Sequence, residues 1–363
     1  MNCHLMMVWI VLLWSLLLGK IASCRPTNKD FNIMIAGGNF FNDTSFLELS
    51  NVELVPPFWE NFVCEKPMNL PNRLDGAIGG LIGEKPLICG GLKTHNDEDY
   101  GFTQTIESEC YQKSNDEWNA HHNLNCPRWG ASSVMVNKDA MWIFGGNTDT
   151  ASPEECKDVS KTSEVYKSNN GGSFELTTNL PESMVYSCAV NIDENHIFIV
   201  NGFDQNYEGF SRAYIVDVST EPFSFQPLPH LEKVRSQAAC GIISYPSTEE
   251  NGNSVAIIVA GGGYGNSSKT TEIYKLSNNI NYDGTWETGP VLPHGFSNGC
   301  HISSNIDDLI LIGGFDEFGN VRSDMITYNR ISEEFETLPA KLNTPRYACT
   351  AMRIQNSGEC VKK

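Results

Sequence analysis

The stretch 255-VAIIVAGGGYGNSSKT-270 admits two readings that lead to different folds. An apolar run closes on a glycine cluster, and from Gly263 the order is G-x-x-x-x-S-K-T. A phosphate-binding loop requires G-x-x-x-x-G-K-[ST]. It also requires a helix behind the glycines, so that unpaired backbone N–H groups converge on the anion. Here 270-TTEIYKL-276 alternates apolar and polar residues, as a half-buried strand does. The glycines therefore end one strand and turn the chain into the next, and no nucleotide site is expected.

Apolar runs ending in a double glycine recur at 33-IMIAGG-38, 87-LICGG-91, 141-MWIFGG-146 and 309-LILIGG-314. A degenerate copy, 197-IFIVNG-202, fills the one gap, so that six copies follow one another at intervals of 52 to 60 residues. After each copy a second strand is expected around Tyr111, Tyr166, Tyr214, Tyr274 or Tyr328, and around 46-FLEL-49 in the first. A large aromatic follows: Trp59, Trp118, Phe174, Phe225, Trp286 and Phe335. A proline turn at Pro71, Pro127, Pro181, Pro229, Pro293 or Pro339 then leads into a strand of small residues, such as 128-RWGASSVMV-136 or 346-RYACTAM-352. Short β-branched and aromatic runs bounded by turn residues read as strands, and no stretch carries a convincing helical period. Each repeat thus specifies one four-stranded antiparallel sheet. A lone sheet cannot bury both faces, so the sheets must stack, and a ring leaves no exposed end.

The order of double glycine, tyrosine, tryptophan and proline–arginine resembles the kelch repeat, from about residue 31 to 354. The resemblance implies an all-β, six-bladed β-propeller of four-stranded antiparallel blades. The chain opens on a glycine-pair strand and closes on the strand that should precede one. The final strand, 346-RYACTAMRI-354, is therefore expected to complete the first blade and close the ring.

Composition narrows the class. The chain has 363 residues and a formal charge of −19, which argues against a nucleic-acid partner because phosphate neutralisation needs clustered Lys and Arg. The apolar run 6-MMVWIVLLWSLLL-18 is short for a bilayer span, and small residues follow at 22-ASC-24. Residues 1–24 are expected to be a secretory signal and 25–363 the propeller, giving a secreted, extracellular protein with no membrane span in its mature chain. Removal of Cys3 and Cys24 would leave ten cysteines, an even number suited to disulfides. Cys64, Cys126, Cys156 and Cys360 lie in loops or near termini and are the better disulfide candidates, and Cys89 and Cys110 are placed to bridge within one blade. Cys188, Cys240, Cys300 and Cys349 fall in innermost strands, where small buried thiols are expected as packing residues. Asn42 and Asn266 head Asn-x-Ser/Thr sequons, plausible glycan acceptors in a secreted chain.

Four arginines, Arg73, Arg128, Arg235 and Arg346, begin the strand after the proline turn; Met184 and Phe296 stand near that position in the other two blades. In a kelch-like blade that strand is innermost. The four arginines are expected near one mouth of the central channel, either attracting an anion or hydrogen-bonding loop carbonyls of the neighbouring blade. The divergent blade, 200-VNGFDQNYEGFSRAYIVD-217, carries Glu208 and Arg212. Over fewer than 20 residues it is similar to bacterial sialic-acid mutarotases, secreted kelch-type propellers that use an acid and an arginine at a channel mouth. By that likeness Glu208 would exchange a proton while an arginine holds a sugar carboxylate. Copper-radical oxidases also use such propellers, but no compact His/Tyr constellation is readable around His121-His122. The acidic segment 94-THNDEDYG-101 lacks EF-hand spacing. No cofactor and no metal are expected. The leading expectation is a module that binds an extracellular protein or glycan at the arginine-lined mouth, and the rival is a mutarotase or epimerase.

Overall fold

The computed structural model describes residues 31–363 except 43–44, 66, 98–100, 115–116, 149–152, 169–171, 201, 205, 207, 247–252, 264, 277–283, 304–305, 308 and 356–357. The signal segment expected at 1–24 lies outside the described residues.

The opening stretch lies in the fifth blade. Its innermost strand is Ala239–Pro246, followed by Asn253–Ala260, Thr271–Leu276 and Trp286–Thr288, each antiparallel to the last. The glycines end the second strand, and Gly265–Lys269 forms a single 3-10 turn rather than the helix of a phosphate loop. Gly261 is fixed by its surroundings: φ is +71°, and a Cβ there would stand 2.2 Å from the Phe296 carbonyl oxygen of the next blade. Side chains alternate along the second strand with period two. Ile257 and Val259 pack toward blade 4 against Phe198 and Ile215, while Ala256, Ile258 and Ala260 pack toward blade 6 against Leu309 and Leu311.

The same device operates six times. Blades 2, 3, 4 and 6 are also four-stranded sheets, with innermost strands Ile78–Ile82, Ser132–Asn137, Cys188–Asn191 and Cys300–Ile302. Six apolar clusters each lie between two neighbouring blades, so the core is a set of six interfaces rather than one centre. Blade 1 is built from both ends of the chain. Strand Thr350–Gln355 pairs with Phe31–Ala36, which pairs in turn with Val52–Val55, closing the ring as the repeat order requires. Outside it, Phe62–Cys64 pairs with Cys360–Lys362, and Cys64–Cys360 locks that pair.

Two expectations are corrected in detail, and the first concerns blade 1: Ser45–Glu48 pairs with Asn39–Asn42 in a separate two-stranded sheet, and Val52–Val55 takes the blade position expected at 46-FLEL-49. The strands expected around the five tyrosines are present, in two registers. Tyr166, Tyr274 and Tyr328 occupy one register position, each directly opposite Phe174, Trp286 or Phe335. Tyr111 and Tyr214 stand two residues earlier, opposite Ile88 and Ile199, where blades 3 and 5 carry Glu164 and Glu272. The innermost-strand cysteines are not free packing thiols. Cys188 bonds Cys240 and Cys300 bonds Cys349, tying blade 4 to blade 5 and blade 6 to blade 1. Cys89–Cys110 and Cys126–Cys156 form as well, in line with the loop and single-blade candidates.

Candidate functional site

All six blades line a central cavity of about 170 Å³ with the residues that begin or lead into their innermost strands. At one end its neck is a closed circle of backbone hydrogen bonds. The N–H of Gly130 donates to the Gly76 carbonyl, Tyr186 to Gly130, Gln237 to Tyr186, Asn298 to Gln237, Ala348 to Asn298, and Gly76 to Ala348, at 2.7–3.3 Å. All six residues have φ between +50° and +61°. Only glycine adopts this conformation freely, so the circle holds four side-chain-bearing residues in place against an intrinsic cost. Polar backbone atoms are used up within the circle, and side chains decide the chemistry of the neck. Blades 1–3 present only Ala348, Gly76 and Gly130, whereas blades 4–6 present Tyr186, Gln237 and Asn298.

Above the neck the half-buried aromatic residues gather. Trp129 meets Tyr186 edge-on at 5.4 Å between ring centroids, Tyr186 meets Phe203 at 6.4 Å, and Phe315 lies 4.4 Å from Tyr347. Phe203 and Phe315 come from the loops after the second strands and are tied to Val185 and Ser297 by isolated bridges. Two aromatic groups flanking a neck that carries Tyr186, Gln237 and Asn298 give a rim of apolar bodies and polar handles, the mix that small-molecule sites use.

The arginines lie beneath this rim rather than on it. Arg128, Arg235 and Arg346 are 1, 2 and 0% exposed. Each pairs with a glutamate of the third strand of its own blade, Glu164, Glu272 and Glu53 respectively. Each also donates to the carbonyl of the first residue of its glycine pair: Gly145, Gly261 and Gly37. The glutamates in turn accept backbone N–H groups of the entering loop: Asn125 and Cys126, Glu232 and Lys233, Asn343 and Thr344. Burial lowers the pKa of all three guanidinium groups, with the glutamates opposing that shift. The three guanidinium groups are thus engaged by a glutamate and a glycine carbonyl of their own blades, not by a neighbour's loop. Arg73 is exposed and one residue out of register. The position equivalent to the buried arginines is Leu74, whose carbonyl accepts the Gly38 N–H just as that of Arg128 accepts the Gly91 N–H.

Below the neck, His301 lines the cavity with Cys188. Its Nε2 lies 3.3 Å from the Cys188 sulfur. Burial pushes its pKa down to about 4, so the ring is neutral at pH 7. Sequence reading passed over His301, although Cys188, Cys240 and His301 recur at about one repeat length, the signal that would have grouped them. The rim aromatics were missed for a related reason: Trp129 and Tyr347 each directly follow an arginine that drew the attention instead.

Glu208 and Arg212 follow the second strand of blade 4. Glu208 is exposed, and its backbone N–H donates to Asp204. Arg212 pairs with Glu182 rather than Glu208, and Glu182 also accepts the Tyr214 hydroxyl at 3.0 Å. Burial and Glu182 raise the Tyr214 pKa to about 12. Asn266 is exposed in the turn Gly265–Lys269, and Asn42 ends the strand Asn39–Asn42; both belong to loops between second and third strands. The two ends of the acidic segment lie on the paired strands Leu92–Asp97 and Gly101–Ile106, and residues 98–100 lie outside the described residues. His121 and His122 follow an outermost strand, edge-to-face at 5.3 Å.

No protein-family profile matches the chain, and no curated protein is similar to it in sequence. Among solved structures it is similar to YjhT, with a TM-score of 0.60 over 84% of this chain and 97% of that one. Identity is 12%, so the likeness concerns the propeller fold alone.

Proposed function

We propose that the chain is a secreted kelch-type propeller that binds an extracellular glycan, or a protein loop of similar polarity, at the aromatic mouth of its channel. One observation carries this reading: Trp129, Tyr186 and Phe203 form one aromatic group and Phe315 and Tyr347 another, on segments that flank the neck circle whose Tyr186, Gln237 and Asn298 line a cavity that all six blades share. A sugar ring offers C–H faces to aromatic rings and hydroxyls to amides, and this rim supplies both partners. The arginines expected to hold an anion support the rim from below through their ion pairs. Glycans at Asn42 and Asn266 would stand on the same face as the mouth. The test is capture on a glycan array, followed by titration of the best ligand. Trp129→Ala and Phe315→Ala are each expected to weaken binding at least about tenfold, as loss of a central aromatic contact does. Unchanged affinity in both folded variants moves the site away from the mouth.

The enzymatic reading rests on a different cluster, in which Glu182 joins the Arg212 guanidinium and the Tyr214 hydroxyl. A carboxylate held between a cation and a phenol suits proton exchange at an anomeric centre. Anomer interconversion of sialic acid, followed by NMR, decides it: no acceleration by the purified protein ends that reading for this substrate.

A further inference from the structure

Three consecutive blades each place one soft or borderline ligand at one point beneath the neck. Cys188 comes from blade 4, Cys240 from blade 5, and His301 from blade 6. Their ligand atoms, two sulfurs and an imidazole nitrogen, all lie within 4.8 Å of one another. The imidazole nitrogen is already 3.3 Å from the Cys188 sulfur. Around a tetrahedral zinc ion, bonds of about 2.3 Å to sulfur and about 2.0 Å to nitrogen put the donors about 3.5–3.8 Å apart. In the oxidised protein the two sulfurs are bonded to each other, and neither is a thiolate able to hold a metal.

We propose that Cys188, Cys240 and His301 form a redox-gated site for a thiophilic divalent metal ion, closed when the disulfide is intact and opened by reduction. The balance is complete with a small dithiol as reductant. The dithiol supplies two electrons and two protons, becomes a disulfide itself, and leaves Cys188 and Cys240 as thiols. A divalent ion then binds two thiolates and the neutral imidazole, and the two thiol protons leave to solvent. Two sulfurs and one nitrogen fill three of four tetrahedral positions. Cys188 and His301 both line the cavity, so the fourth position faces the channel and is open to water or a small ligand.

The blade arrangement favours such a gate. The disulfide joins two innermost strands whose blades also share a cluster of buried residues, including Val190, Phe198, Ile242 and Val259. Packing of the two blades does not depend on the covalent bond alone, so its opening leaves the donors in place.

The experiment uses the whole chain and cobalt(II) as the probe. Folded protein is treated with a water-soluble phosphine, retention of the β-sheet is checked by circular dichroism, and free thiols are mapped by alkylation and mass spectrometry. Reduced wild type is expected to bind one cobalt per chain at this site, with thiolate-to-cobalt charge-transfer bands and tetrahedral d–d absorption, and oxidised protein none. His301→Gln keeps every cysteine and is expected to weaken cobalt binding about tenfold or more and to alter the d–d bands. Cys188→Ser removes one of the two thiolates and is expected to remove at least about half of the charge-transfer intensity of this site. The proposal is overturned if Cys188 and Cys240 stay oxidised in phosphine-treated folded protein. It is equally overturned if reduced wild type gives no such bands, or if His301→Gln leaves affinity and spectrum unchanged.

Discussion

Blades 1, 3 and 5 fasten the loop that enters the innermost strand with a buried guanidinium and carboxylate. Blades 2, 4 and 6 fasten the same loop with Leu74, Met184 and Phe296. Across from them, the position held by Glu53, Glu164 and Glu272 is taken by Tyr111, Tyr214 and Ile326. One backbone path is thus secured by two chemistries that alternate around the ring. In the odd blades the carboxylate satisfies two loop N–H groups and the guanidinium satisfies a glycine carbonyl, so most of the buried polar groups are matched, with Arg128 Nε left without a partner. In the even blades apolar bulk fills the same space, and the polar work shifts to the surface, as where Tyr111 binds Asn72 and Glu109.

Removing one half of an ion pair should be the most damaging single change. Arg346→Ala strands Glu53 in the blade that closes the ring, and denaturant unfolding should show a loss of about 3–5 kcal/mol. A loss below about 1 kcal/mol would show that the pair is dispensable. The complementary change converts an odd blade into an even one. Arg235→Met together with Glu272→Tyr installs the pair that blade 4 uses, and the double variant should be destabilised by no more than about 1 kcal/mol, far less than either single variant. If the double variant is as unstable as the singles, the two chemistries are not interchangeable.

The pH response separates the channel from the blade surface. His301 has its pKa lowered from 6.5 to about 4 by burial, so the unfolded chain takes up a proton first. Stability should therefore fall as pH drops from 6.5 to about 4, and His301→Gln should flatten that window. Glu317, lowered from 4.5 to about 2 chiefly by the Gly295 N–H, gives stability that is present above pH 4.5 and lost on approaching pH 2. Thermal melts of both proteins across pH 2–8 check the two windows. The smallest effect concerns the neck circle. Ala348→Gly relieves a left-handed residue at φ +50° and should leave stability unchanged or raise it by up to about 1 kcal/mol.

The ring was legible in the sequence because the double glycines are forced: a Cβ on Gly37, Gly145 or Gly261 would collide with a carbonyl of the next blade. Residue type misled where register was needed. Arg73 shares its residue type with Arg128, yet Gly76 and Gly130, equal partners in the neck circle, align Arg128 with Leu74. Tyr111 and Tyr214 share theirs with Tyr166, although pairing sets them two residues apart. The inter-blade disulfides were out of reach for a geometric reason. Cys188 and Cys240 differ by one position within their strands, and only the stagger between blades brings them together.

The mixed origin of blade 1 sets a timetable for biosynthesis. Cys64 and Cys360 are separated by 296 residues, which take roughly 15–60 s to synthesise at about 5–20 residues per second. Throughout that interval strand Phe31–Ala36 has no innermost neighbour and Glu53 has no Arg346. The first-made blade is therefore the last to mature, and its open edge is the surface that folding helpers must guard until the chain is complete.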